Sequence, residues 1–212
     1  MGQSVVLREL GLCPYAEVLA RMQAHTRTRG QGRGDEFWLV EHPPVYTLGQ
    51  AGRMEYVHDP GLVPVVRTDR GGQVTYHGPG QAVLYTLLDL KARGLAVKDL
   101  VGGLESGVID MLGCHGIEAE RRPGAPGVYV EGRKIAQLGL RIRSGCSYHG
   151  VSLNVAVDLG PFRSIDPCGY PGLEVTRLLD LGVTLSVSAA GRELAGHCLR
   201  TLGLGEQEAG PP

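Results

Sequence analysis

Short apolar runs bounded by Gly, Pro and polar clusters recur along this chain, and longer runs with helical spacing interrupt them at uneven intervals. Val5–Leu10, Glu36–Glu41 and Val45–Leu48 read as strands, the last two joined by a rigid His42-Pro43-Pro44 bend. Val63–Thr68 leads into the stretch Asp69–Leu90, and Gln81–Leu88 leaves it as a nearly unbroken apolar strand, the pattern of a buried one. Pro14–Arg27 reads as a helix, because Pro suits a first turn and Tyr15, Val18, Leu19 and Met22 share one face. The strongest helical period runs over Val97–Leu112, with Gly113 as its stop. Ile117–Ala119, Gly127–Val130, Lys134–Ile142 and Tyr148–Val157 read as four further strands. Leu173–Leu181 and Ser188–Leu202 read as short helices, the second capped by Ser188. Gly30–Gly34 is expected to be a turn, Gln50–Asp59 and the Pro/Gly-rich Gly160–Gly172 loops, and the last eight residues a frayed end.

Strands dominate the middle and helices do not alternate with them regularly. That predicts an α+β fold, a mixed sheet with helices on one face, with residues 1–212 as one domain. A formal charge of −1 and scattered basic residues give neither nucleic acid nor an anionic membrane an obvious hold. No apolar run approaches the ~20 residues of a membrane helix. Five widely spaced cysteines, with no signal peptide before them, fit a reducing cytoplasm better than a disulfide scaffold.

Within Asp69–Leu90 two glycine clusters surround Arg70 and His77, a composition for a loop that either receives a ligand or closes a hairpin. Cys146-x-x-His149 with His77 is the one metal-like set, but it lacks a second ligand pair, and no metal site is expected. Cys168 differs from the other cysteines because Asp166-Pro167-Cys168-Gly169 lifts it out of any core pattern. It reads equally as a nucleophile or as an incidental loop thiol. Lys134, one of three lysines, opens a strand that continues Ile135, Ala136, Leu138. Its stem therefore enters apolar surroundings, where a lysine and a thiolate can share a proton, unless the residue is an ordinary strand-end lysine.

Five segments together resemble one known family: EHPPVYTLG at Glu41–Gly49, RGGQVTYHGPGQAVLY at Arg70–Tyr85, GRKIAQLGLRIR at Gly132–Arg143, CSYHGVSLNV at Cys146–Val155 and DPCG at Asp166–Gly169. They are similar to the lipoate-biosynthesis octanoyltransferases. The resemblance implies a mixed sheet flanked by helices, similar to the biotin and lipoate protein ligases. It also implies transfer of an octanoyl group from octanoyl-acyl carrier protein to a lysine of lipoyl domains, those of 2-oxoacid dehydrogenase E2 subunits and the glycine cleavage H protein. Cys168 matches the family's thioester nucleophile and Lys134 its acid/base lysine. Arg70, Gly71, Gly72, Gln73, Val74, Thr75, Tyr76 and His77, then Gln137, Leu138 and Gly139, then His149, Gly150 and Val151 match its acyl-binding segments. No cofactor is implied. An ATP-dependent lipoate ligase and a non-catalytic acyl-carrier-binding protein are the competing expectations.

Overall fold

The computed structural model describes residues 4–29 and 34–207, with Cys168, Glu206 and Gln207 described by their backbone. The turn expected at Gly30–Gly34 lies outside these residues except for Gly34, as does most of the expected frayed end. In chain order come β1 (Val5–Leu12), α1 (Tyr15–Arg27), β2 (Glu36–Glu41), β3 (Val45–Leu48), β4 (Val65–Arg67), β5 (Val74–His77) and β6 (Gln81–Leu87). They are followed by α2 (Leu90–Arg93), α3 (Val97–Cys114), β7 (Glu120–Arg121), β8 (Gly127–Val130), β9 (Arg133–Arg143), β10 (Cys146–Asn154), α4 (Val187–Thr201) and β11 (Glu206–Gln207).

An eight-stranded sheet runs in the order β11-β1-β2-β6-β10-β9-β8-β7, and a three-stranded sheet in the order β4-β3-β5. Both are mixed: β1 is parallel to β11 and β2, β3 is parallel to β4, and the other pairings are antiparallel. Period-two alternation divides the large sheet's side chains between two cores. Phe37, Leu39, Ala82 and Leu84 face α3 and α4, whereas Trp38, Val40, Val83 and Tyr85 face Val18 and Met22 of α1. Helices thus cover both faces, not one. The apolar runs of β2 and β6 are continuous because both faces are buried. α3 and α4 close on each other where Gly107 leaves no room for a side chain, since a Cβ there would sit 2.6 Å from Cys198 Sγ.

Several predicted elements shift. The expected turn at Arg70–His77 contains β5, which pairs with β3 and buries Val74 and Tyr76 beside Tyr46, Leu48, Phe162 and Ile165 in a third core. The strand expected at Ile117–Ala119 forms one step later, as β7. Leu173–Leu181 is not a helix except for a 3-10 turn at Leu178–Leu181. Its helical spacing is overruled because Glu174 O and Thr176 N–H bond the backbone of Lys134, each at 2.9 Å, in a parallel bridge to the start of β9. Two further 3-10 turns, Gly160–Ser164 and Pro167–Gly169, order the Pro/Gly-rich loop, and a third, Met54–Tyr56, orders the earlier one. α4 is capped by Ser186, whose hydroxyl accepts from Ala189 N at 3.2 Å, while Ser188 donates to Glu9 Oε2 at 2.7 Å. Among the described residues no helix is long and apolar enough to cross a membrane.

Candidate active site

One cavity opens between the large sheet and the loop that carries β5. Its floor is β6, β9 and β10, contributing Val83, Tyr85, Gln137, Leu138, Gly139, His149, Gly150, Val151 and Ser152. Its roof is Arg70, Gly72, Gln73, Val74, Thr75 and His77, and Tyr15 of α1 closes one side. Of the fourteen predicted binding residues, twelve therefore meet here from three distant segments. Gly71 and Tyr76 do not line it. Gly71 ties roof to floor through its N–H to Leu140 O at 2.8 Å, and Tyr76 turns into the third core against Tyr46 and Phe162.

Among the polar roof residues, Arg70 is engaged by the loop and by β3. Arg70 is buried, and its guanidinium donates to Thr47 Oγ1 at 3.0 Å, Thr47 O at 2.6 Å, Gly71 O at 2.9 Å and Gln73 O at 2.8 Å. It clasps the glycine loop to β3, and the loop it holds bounds the cavity that Arg70 itself helps to line. A Cβ at Gly139 would stand 3.0 Å from Gly71 O and press the loop away by a few tenths of an ångström, so glycine lets the loop lie directly on β9.

Behind the cavity lies a chain of neutral rings. His42 Nδ1 is 2.7 Å from Cys13 O, which can only accept, so Nδ1 carries the proton and Nε2 accepts from the Tyr85 hydroxyl at 2.7 Å. Burial lowers the His42 pKa to about 4, against the pull of that carbonyl. Burial, and then the neighbouring His42, lowers His77 to about 3. Its Nδ1 therefore donates to Gln81 Oε1 at 2.6 Å, leaving Nε2 as a lone-pair acceptor. His149 is different, because its Nε2 sits 2.9 Å from Asp69 Oδ1. Hydrogen bonds from His149 and Tyr148 hold Asp69 well below the usual carboxylate range, while burial outweighs Asp69 and lowers His149. His149 takes a left-handed φ of 61°, which costs about 1–2 kcal/mol for a residue with a Cβ. Three buried atoms lining the cavity have no hydrogen-bond partner: Gln73 Oε1, Thr75 Oγ1 and Gln137 Nε2. Such atoms favour a polar occupant beside them.

Lys134, expected near a strand end, is wholly buried. Its Nζ donates to Pro126 O at 2.8 Å and lies 5.3 Å from the Tyr129 ring centroid. Gly127 makes the pocket for its stem, since at φ 135° a Cβ would collide with Lys134 Cε and Ala136 O. The chain that bonds Lys134 through Glu174 and Thr176 is the continuation of the turn Pro167–Gly169. That turn packs on β5, where a Cβ on Gly169 would sit 3.3 Å from Gln73 Cγ. The backbone of Cys168 thus runs past the cavity rim at Gln73. The N–H groups of Gly169 and Tyr170 are engaged within the turn, by Asp166 O at 2.8 Å and Pro167 O at 3.1 Å.

Sequence reasoning did not single out Tyr15, Asp69, Val83, Tyr85 or Ser152. Asp69 directly precedes the glycine loop and Ser152 follows Val151, so adjacency offered a signal for both; Tyr15, Val83 and Tyr85 reach the cavity only through tertiary packing. Cys146 and His149 line different cavities, and among the described residues no group of three or more His, Cys, Asp or Glu could hold a metal.

Residues 14–198 match the model of the lipoyl protein ligase A/B catalytic domain. The chain is 59% identical over 198 residues to an octanoyltransferase of Alkalilimnicola ehrlichii, covering 93% of this chain and 92% of that one. It is 53% identical over 201 residues to an octanoyltransferase of Pseudomonas entomophila, covering 95% and 94%. Among solved structures, a lipoate-protein ligase A bound with ATP superposes with TM-score 0.76 at 17% identity, over 100% of this chain and 90% of that one. A biotin protein ligase from Aquifex aeolicus superposes with TM-score 0.55 at 11% identity, over 96% and 70%. At such identities these two likenesses concern the fold.

Proposed function

The chain belongs to the lipoyl protein ligase A/B family, and within it to the octanoyltransferases, and from that membership we propose a two-step transfer through a thioester on Cys168. The donor is octanoyl-acyl carrier protein and the acceptor a lysine of a lipoyl domain. In the first step the Cys168 thiolate attacks the donor's thioester carbonyl. A bond forms from Cys168 sulfur to the acyl carbon, the bond to the phosphopantetheine sulfur breaks, and Lys134 gives that sulfur its proton. Lys134 is then neutral. In the second step it takes a proton from the incoming lysine ammonium, the freed amine attacks the Cys168 thioester, and the thiolate leaves. The second amine proton passes to solvent as the amide forms. Thiolate and ammonium are restored, and the amide product lies below the thioester in free energy.

The reading rests on one observation above the others. Three glycine-bearing segments far apart in sequence bound one cavity, the turn of Cys168 passes its rim at Gln73, and β9, the strand of Lys134, forms part of its floor. The acyl chain is assigned to this cavity, whose floor carries the apolar side chain of Val83. Burial there contributes about 0.8 kcal/mol per methylene, which discriminates chain length only several-fold per carbon.

Incubating the protein with octanoyl-acyl carrier protein and reading its intact mass tests the proposal. The expected result is one added octanoyl group, removed by hydroxylamine and absent from Cys168→Ser. Transfer to a lipoyl domain by the Cys168→Ser protein, or transfer that requires ATP, would sink it in favour of a ligase.

A further inference from the structure

The three buried cavity atoms without a hydrogen-bond partner differ in what they can offer. Gln73 Oε1 only accepts, whereas Gln137 Nε2 and Thr75 Oγ1 can donate. Gln137 is held in place. Its Oε1 accepts from the Ser152 hydroxyl at 2.8 Å, and both residues are buried, so the free N–H side of the amide stays within the cavity lining. An N–H buried without an acceptor costs on the order of 1–3 kcal/mol, and an apolar chain laid over it recovers none of that. An oxygen of the occupant does.

Strand register says which end of the cavity this donor serves. Gln137 of β9 lies opposite Gly127 of β8, where a Cβ would stand 3.0 Å from Lys134 Nζ. In the other direction along β9, Leu140 pairs with His149, about 10 Å further on. Gln137 is therefore at the Lys134 end and the His149 ring at the far end. The turn of Cys168 meets the cavity rim at Gln73, and the N–H groups of Gly169 and Tyr170 are engaged inside that turn. A carbonyl carried on this turn takes a donor from the cavity wall instead.

We propose that the side-chain N–H of Gln137, aligned by Ser152, donates to the acyl carbonyl oxygen during transfer, Gln137 being a catalytic residue and Ser152 its positioning residue. This role rests on the Cys168 thioester proposed above. When the nucleophile adds to the carbonyl carbon, the π electrons of the C=O bond move onto oxygen, and they return as the thiolate leaves. The N–H bond to that oxygen strengthens with its charge and transfers no proton. Both steps pass through such an oxyanion, so one donor serves both.

Loading the protein from octanoyl-acyl carrier protein labelled with carbon-13 at the carbonyl, and recording the infrared band of the thioester, reads the hydrogen bond directly. The band is expected at higher frequency in Gln137→Leu than in wild type. Thioester formation by Gln137→Leu is expected to fall about 100-fold, with the donor KM within about twofold. Ser152→Ala keeps the amide and loses its alignment, and should fall roughly 5- to 10-fold. The double variant Gln137→Leu/Ser152→Ala leaves no orphaned hydroxyl, so it is expected to melt like wild type and yet be as slow as Gln137→Leu. An unmoved band and wild-type rate in Gln137→Leu, or losses in all three variants that only follow the melting temperature, would overturn this role alone. A wild-type protein that takes up no octanoyl group would remove the thioester and this role together.

Discussion

The two faces of the eight-stranded sheet solve different problems. Toward α3 and α4 the sheet presents Phe37, Leu39, Leu84 and Leu153, and this core cluster consists of apolar side chains. Toward α1 and the small sheet it presents Tyr85, Gln137, His149 and Ser152, with His42 beside Tyr85 and His77 in the roof opposite, all buried and most hydrogen-bonded. The first face contributes stability through area removed from water. The second holds polar groups in fixed protonation states around a cavity and keeps strain at His149. Stability and chemistry are thus separated by the thickness of one sheet, and a substitution should affect one or the other according to the face it touches.

Leu84→Ala gives the largest contrast. Leu84 is fully buried beneath the helices, and its truncation is expected to remove about 3–5 kcal/mol in denaturant unfolding. Octanoyl transfer per folded molecule should stay within about twofold. A loss of transfer out of proportion to the unfolded fraction would break the division between the faces.

Acid reaches the second face first. His42 and His77 have folded-state pKa values of about 4 and about 3, below the ordinary value near 6.5. Between these values the unfolded chain binds more protons, so their contribution is present above about pH 6.5 and is lost as pH falls toward 4. At pH 5 each ring is expected to have withdrawn on the order of 2 kcal/mol relative to pH 7, read from denaturant midpoints. Asp69, held low by His149, adds its own loss only at more acid pH, once the unfolded carboxylate begins to protonate. A flat stability profile from pH 7 to 5 would show that the rings titrate normally and that this face is wetter than its geometry implies.

The smallest effect separates two serines at the start of α4. Ser186→Ala loses the cap to Ala189 N and is expected to cost about 1 kcal/mol. Ser188→Ala loses an exposed bond to Glu9 and should cost no more than about 0.5 kcal/mol. Thermal melts of the two variants check the order, and the reverse order would restore the cap to Ser188.

The helix α3, the strands β2, β3 and β8, and the segments around Arg70, Lys134 and His149 were legible because periodicity and turn chemistry are local properties. β5 was hidden inside a glycine-rich stretch, since the partner that makes Val74–His77 a strand is β3, well upstream. The helical spacing of Leu173–Leu181 misled for the converse reason: hydrogen bonds to Lys134 outweigh a weak local preference. Gly71 and Tyr76 sat in the right segment, yet pleating and docking sent one to the β9 backbone and the other into the third core. Tyr15 and Gly127 gave no readable signal, because each acts on a residue elsewhere in the chain.

By itself the sequence determined which residue types the site could draw on, where most strands and helices run, and the family whose chemistry they resemble. Those follow from the side-chain period and from glycine, proline and cysteine placed at fixed spacings. Tertiary structure alone decided that helices cover both faces, that Arg70 is a clasp, that His42 and His77 are neutral and that Lys134 is buried against the Pro126 carbonyl. Burial and hydrogen-bond partnership are set by whichever segments meet in space, and a linear string records the groups but not their meetings.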